Sequence, residues 1–337
     1  METDQLAIQP VDLSPGTAVS STGEPDPEPM PFPHIVCCLD YSTQSQLAVH
    51  EAQRLRALSP GTLSLLHVAP TPLLYDDVDP ALVDPRDIHE IAKRWLADQV
   101  ARAPGATGVL LTGHAPAAVC DWATHNTPDV IVVAPHHGPR ERLFIGSFVA
   151  YLLRHSPSPV LVIRPRSNGQ APIASGTPYS HIACCVDHSA PSAAGLVLAR
   201  RIRASGPGQL TVLNAAFLPP QSDMFTGSYV LSDVQEYRRS AEVWLRGQTA
   251  EMNDVQAVSL YGYPATTCAD WANANGCDLM VAAAHRGLFG RVFLGSFAGY
   301  LAQHAPCSLL VTRPAIAPDA VDARSTIGAR VAAAGNA

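Results

Sequence analysis

His34-Ile35-Val36-Cys37-Cys38-Leu39-Asp40 returns 147 residues later as His181-Ile182-Ala183-Cys184-Cys185-Val186-Asp187. Further along, Gly146-Ser147-Phe148 returns as Gly295-Ser296-Phe297, and Val160-Leu161-Val162-Ile163-Arg164-Pro165 as Leu309-Leu310-Val311-Thr312-Arg313-Pro314, both at an offset of 149. One copy has therefore gained two residues between the first motif and the second. A repeat of this length is a duplicated domain, large enough for each copy to bury a core. The motif itself reads as a strand. Its short apolar run, ended by Asp, suits a strand buried on both faces of a parallel sheet.

The same alternation runs through each copy. In the first, Val36–Leu39 is followed by a helix capped by Ser42, which keeps Leu47, Ala48, Ala52 and Leu55 on one side. Leu63–Val68 is a second strand, and a helix follows around Ile88–Val100. Gly108–Thr112, Val130–Ala134 and Pro159–Ile163 are further strands, with helices over Pro116–Thr124 and Gly146–His155 between them. Strand and helix alternating in this way predict α/β architecture: two tandem open-sheet domains, each a five-stranded parallel sheet with helices on both faces, Rossmann-like in class. Residues 33–166 form the first domain, 167–179 a linker, 180–315 the second domain and 316–337 a flexible tail. Residues 1–32 hold six prolines and six acidic residues with no Lys or Arg, and read as a disordered acidic arm.

The arm accounts for most of the net charge of −7, so the body is close to neutral. A neutral body offers no electrostatic footprint for nucleic acid or an anionic membrane surface. No stretch approaches the roughly 20 apolar residues of a membrane helix, and the acidic start is unlike a signal peptide. A cytoplasmic location is expected. The eight cysteines fit it: Cys37-Cys38 and Cys184-Cys185 are strand neighbours pointing to opposite faces, hence small core residues rather than disulfide partners.

Open parallel sheets bind ligands at the carboxyl ends of their strands, where strand order reverses. That crevice holds Asp40 and the His136–Ser147 loop in one copy, and Asp187 and the His285–Ser296 loop in the other. Together these residues resemble the universal stress protein (UspA-like) family. The resemblance rests on Asp-x-Ser after the first strand (Asp40-Tyr41-Ser42; Asp187-His188-Ser189), and on Gly113-His114-Ala115-Pro116 and Gly262-Tyr263-Pro264 after the third. It rests most on the end of each copy: an apolar residue and Gly-Ser, a helix with a late His (His155; His304), Ser-Pro or Ala-Pro, a strand and Arg-Pro. It implies five parallel strands per domain and two domains packed through their last strands as a pseudo-dimer.

ATP-binding members of that family resemble Gly-x-x-Gly, nine residues, then Gly-Ser. The final Gly-Ser opens a helix whose free N–H groups and dipole suit phosphate, and the earlier glycines let the backbone approach ribose and phosphate without a Cβ. Here Gly146-Ser147 and Gly295-Ser296 are present. Counting back nine residues puts His136 and Val133, or His285 and Ala282, on the glycine positions. One residue fewer puts His137 and Ala134, or Arg286 and Ala283, there. In these counts both copies carry a side chain capable of positive charge in place of the second glycine.

The candidate ligand-binding set is Asp40, Val68, His136, His137, Gly146 and Ser147, with Asp187, His285, Arg286, Gly295 and Ser296. Each has a plainer reading. Gly-Ser is also a helix cap worth about 1 kcal/mol, Asp40 and Asp187 also start Asx turns, and the loop cations are also ordinary exposed residues. His34, His181, His155 and His304 recur between copies without the spacing of a metal site. Trp95, Trp122, Trp244 and Trp271 read as anchors of helices on the sheet, and Arg142 and Arg291 as rim residues. No Gly-x-Ser-x-Gly elbow or phosphate loop ending in Lys is present, so no catalytic or metal residue is assigned.

The function expected is a non-enzymatic universal stress protein with a degenerate nucleotide or anion crevice in each domain, acting through a small molecule or a protein partner, with further homo-oligomer formation open. The alternatives are an ATP or adenine-nucleotide sensor and, on the same sheet architecture, a nucleotide hydrolase or nucleotidyl transferase.

Overall fold

The computed structural model describes residues 11–12, 32–58, 61–69, 85–135, 145–164, 179–217, 231–250, 252, 255–286, 292–293 and 295–313. A short strand, β1 (Val11–Asp12), precedes the first domain. The domain then runs β2 (His34–Leu39), α1 (Gln44–Leu58), β3 (Thr62–Ala69), α2 (Pro85–Ala101), β4 (Ala106–Thr112), α3 (Ala115–Asn126), β5 (Val130–Val133), α4 (Ser147–His155) and β6 (Val160–Val162). The second runs β7 (His181–Cys185), α5 (Ala190–Ala204), β8 (Gln209–Ala216), α6 (Leu231–Thr249), β9 (Val255–Tyr261), α7 (Pro264–Ala274), β10 (Leu279–Ala283), β11 (His285–Arg286), β12 (Val292–Phe293), α8 (Ser296–His304) and β13 (Ser308–Thr312). No described helix is long and apolar enough to cross a membrane.

All but β11 and β12 join one sheet in the order β1-β9-β8-β7-β10-β13-β6-β5-β2-β3-β4. Within each domain the five strands are parallel, and strand order reverses between β2 and β5 and between β7 and β10. The domains meet through their last strands. β6 and β13 pair antiparallel, Leu309 with Val162 and Val311 with Val160. This is the expected pseudo-dimer, and it covers two sheet edges that would otherwise lie open.

The packing explains why the strands read as unbroken apolar runs. Helices α3, α4, α7 and α8 cover one face, where Cys38 and Cys185 lie. Helices α1, α2, α5 and α6 cover the other, where Cys37 and Cys184 lie. Both cores run across the domain seam instead of closing within each copy. All eight cysteines are buried and unbridged. Two arginines fasten the seam reciprocally. Arg313, after β13, donates from Nη2 to the Leu152 carbonyl of α4 at 2.7 Å, and Arg164, after β6, donates to the Ala302 carbonyl of α8. Both carbonyls lie near helix C-termini, where a cation is favoured.

The arm departs from its sequence reading. Within residues 1–32, Val11–Asp12 pairs antiparallel with β9, Val11 opposite Ser259 and Asp12 opposite Val258, and Phe32 is buried. The pairing lies at the outer edge of the second domain, so part of the arm belongs to the sheet.

Candidate functional site

The crevice at each reversal of strand order is built first by the turn after Asp40 or Asp187. Asp40 Oδ1 accepts from the Ser42 N–H at 2.8 Å, and Asp187 Oδ1 accepts from the Ser189 N–H at 2.9 Å and from the Ser189 hydroxyl. Ser45 Oγ donates to the Asp40 carbonyl at 2.8 Å, as Ser192 Oγ does to that of Asp187. Both aspartates therefore form the Asx turn of the plainer reading, and each turn hands the chain to a helix whose cap is Ser42 or Ser189, accepting from the Ser45 or Ser192 N–H at 3.3 Å.

The opposite wall is the start of α4 or α8. Ser147 and Ser296 are the first helical residues, Gly146 and Gly295 are the caps, and neither helix has a side-chain cap hydrogen bond. The reading of Gly-Ser as a stabilising serine cap therefore does not hold. The free N–H groups of a first turn are an anion-attracting arrangement. The two caps differ: Gly146 has φ +72 and ψ 150, whereas Gly295 has φ −56 and ψ 160.

Between these walls in the second domain lies a cavity of about 230 Å³. Its lining includes Cys185, Asp187, Ala215, Cys268, Ala283 and Phe297. Phe297 is the second residue of α8, so the first turn of that helix borders the cavity. The contact between Cys185 and Cys268, followed by burial, holds the Cys185 thiol well above its ordinary pKa, so it stays protonated at neutral pH. Ser192 Oγ is already engaged with the carbonyls of Asp187 and Ser189.

The repeat shows what stands at the same positions in the first domain. Val68 replaces Ala215, Leu39 replaces Val186 and Val119 replaces Cys268. Val68 is larger than Ala215 by two methyl groups on the sheet face that bears Cys38 and Cys185, whereas Leu39 and Val186 pack in the core on the other face. Val68 is half-buried and packs on the core.

The loop cations fall differently. His136 and His137 lie outside the described residues, as do Arg142 and Arg291. His285 and Arg286 form β11, paired with β12 as a hairpin, His285 opposite Phe293 and Arg286 opposite Val292. A third count of the glycines can be made in the sequence. With the connection two residues shorter than nine, Gly138 and Gly287 take the second glycine position, and Pro135 and Ala284 the first. Each copy then lacks one glycine, not two. Ala284 is fully buried and its N–H donates to the Thr312 carbonyl at 3.0 Å.

The remaining candidates fall elsewhere. His34 and His181 sit at the opposite end of the sheet, beside Trp122 and Trp271, with Ser64 and Thr211 as hydrogen-bond partners. His155 lies tilted against Tyr151, and His304 stacks on Tyr300. Among the described residues no group of three or more His, Cys, Asp or Glu is placed to hold a metal ion. Sequence reasoning passed over His67, which bonds the Leu39 carbonyl beside the Asp40 turn. It is buried against Tyr41 and Trp95, with ring centroids 5.0 and 4.8 Å away. Its position inside an apolar run gave it the appearance of a core residue. Trp244 likewise stacks on His188 at 4.0 Å.

Comparisons agree with this construction. Among solved structures, the chain is similar to a universal stress protein from Archaeoglobus fulgidus DSM 4304, with 14% identity, 83% of this chain and 97% of that one covered, and a TM-score of 0.60. It is also similar to a functionally unknown protein from Pseudomonas aeruginosa PAO1, with 17% identity, 84% and 93% covered, and a TM-score of 0.58. At such identities the likeness shows the fold. No functionally curated protein matches. The sequence model of the Universal stress protein family matches twice, over residues 31–164 and 178–313. With both copies matched across the sheet and crevices described above, the chain belongs to the universal stress protein family.

Proposed function

We propose that the chain is a non-enzymatic stress-response module in which the second domain holds one small anionic ligand, an adenine nucleotide or another small anion, and the first domain has lost that capacity. The observation that carries this reading is the cavity of about 230 Å³, bordered on one side by Asp187 and on the other by the first turn of α8. A ligand with an apolar ring and an anionic group suits it. The ring is accommodated among Ala215, Leu213 and Cys268, and the anion at the N–H groups after Gly295. The reading without catalysis is supported by the state of two lining groups, the Ser192 hydroxyl, hydrogen-bonded to backbone carbonyls, and the Cys185 thiol, held protonated.

The natural test copies the first domain into the second. Ala215→Val adds two methyl groups to the cavity wall where the first domain carries Val68. Calorimetric titration with ATP is expected to show binding to the unaltered chain and a loss of at least about tenfold in Ala215→Val, about 1.4 kcal/mol or more. Equal affinity in the two proteins would remove the cavity from the account.

A further inference from the structure

The sheet has two outer edges, and they are treated differently. In β9, the Gly262 N–H after the strand donates to Ala216 of β8, so backbone groups of the alternate residues, Ser259 among them, face outward. That edge is covered: Val11 of β1 pairs with Ser259. In β4, the Gly113 N–H donates to Ala69 of β3 in the same way, so the N–H and C=O groups of Gly108, Leu110 and Thr112 face outward. Leu110 is the repeat equivalent of Ser259. No described strand pairs with this edge, and Thr107, Gly108 and Thr112 are exposed, whereas β9 is buried at every residue but Gln256.

Open edge strands are normally guarded by charge, proline or a bulge. β4 reads Ala106-Thr107-Gly108-Val109-Leu110-Leu111-Thr112, with neither a charge nor a proline over seven residues. An unguarded ladder of this length is a template for another strand. We infer that the β4 edge seats a second copy of this chain, the two β4 strands pairing antiparallel about a two-fold axis at Leu110. The register follows from the outward groups. Leu110 lies opposite its own mate and Gly108 opposite Thr112, so every outward residue meets an outward residue, each pair exchanging two hydrogen bonds. The seam inside the molecule is the precedent, since β6 and β13 are repeat equivalents that already pair antiparallel and continue the sheet. The arm sets the size of the assembly. Among the described residues one outer edge is then left without a partner strand, and an isologous contact through it closes at two copies.

Sedimentation velocity of the full chain tests this, alongside Thr107→Lys combined with Thr112→Lys. Both positions are exposed, and the substitutions put on this edge the lysines with which natural edge strands block pairing. A dimer that becomes a monomer in the variant, with cooperative unfolding retained, is the expected result. A wild-type chain that stays monomeric up to high micromolar concentration overturns the proposal, and so does a dimer that survives both lysines. If the variant fails to fold, hydrogen exchange of the wild type decides. Amides of Gly108, Leu110 and Thr112 whose protection grows with concentration support the pairing, and free exchange at all three overturns it.

Discussion

His67 and Asn214 hold equivalent places and make the same bond. His67 Nδ1 donates to the Leu39 carbonyl at 2.9 Å, and Asn214 Nδ2 donates to the Val186 carbonyl at 3.0 Å. Only the histidine titrates. It is 4% exposed, and Nε2 is buried with no hydrogen-bond partner. Burial pushes its pKa down, against the opposing pulls of the Leu39 carbonyl and Asp40. The sign of the consequence follows. The folded ring stays neutral at a pH where the unfolded ring, with a pKa of about 6.5, takes a proton. The unfolded state then binds more protons, so stability is full above about pH 6.5 and falls as the pH drops through that value toward the folded pKa. His67→Asn keeps the bond and removes the proton site. Urea unfolding of both proteins across this range is expected to show a flatter pH profile for the variant, and equal slopes would contradict the assignment. This residue was illegible in the sequence because it sits within Leu63–Val68, where every neighbour faces the core. Asp40 and Asp187 were legible because their turn is local: the acceptor and the Ser N–H it binds are two residues apart.

At the level of elements, α4 and α8 start from the same Gly-Ser and from different backbones. Gly146 occupies a region nearly restricted to glycine, whereas Gly295 has a φ that any residue adopts. Gly146→Ala is expected to cost about 1–3 kcal/mol in strain, and Gly295→Ala distinctly less. Nothing near either position obstructs a Cβ, so the contrast isolates backbone conformation. Equal losses on denaturant unfolding would contradict it. Strands and helices were otherwise readable to within a few residues, because nearly every strand of the sheet is buried on both faces and reads as one apolar run. β1 was not. Two residues in a proline-rich arm carry no period, and the partner that makes them a strand, β9, is distant in sequence. The pairing of β11 with β12 was hidden for a similar reason, since two-residue strands carry no period.

In the whole molecule the duplication is nearly two-fold but not even. Across the seam, Glu51 and Arg54 of α1 pair at 3.0 Å and enclose Tyr179, whose hydroxyl donates to Glu51 and whose ring lies 3.9 Å from the Arg54 guanidinium. The equivalent places hold Phe32, Leu198 and Arg201, an apolar ring and side chain where the other half has a buried polar cluster. The crevices differ as well: Val68 stands in the first where Ala215 lines the cavity of the second. The fold followed from the repeat alone, but this division of labour required the cavity to be seen. It is tested most directly by denaturing the purified protein and identifying and counting the small molecules released by mass spectrometry. The account predicts an adenine nucleotide or another small anion at about one per chain rather than two, and its absence from Ala215→Val. An empty protein whose thermal stability does not change on addition of ATP or phosphate would contradict it.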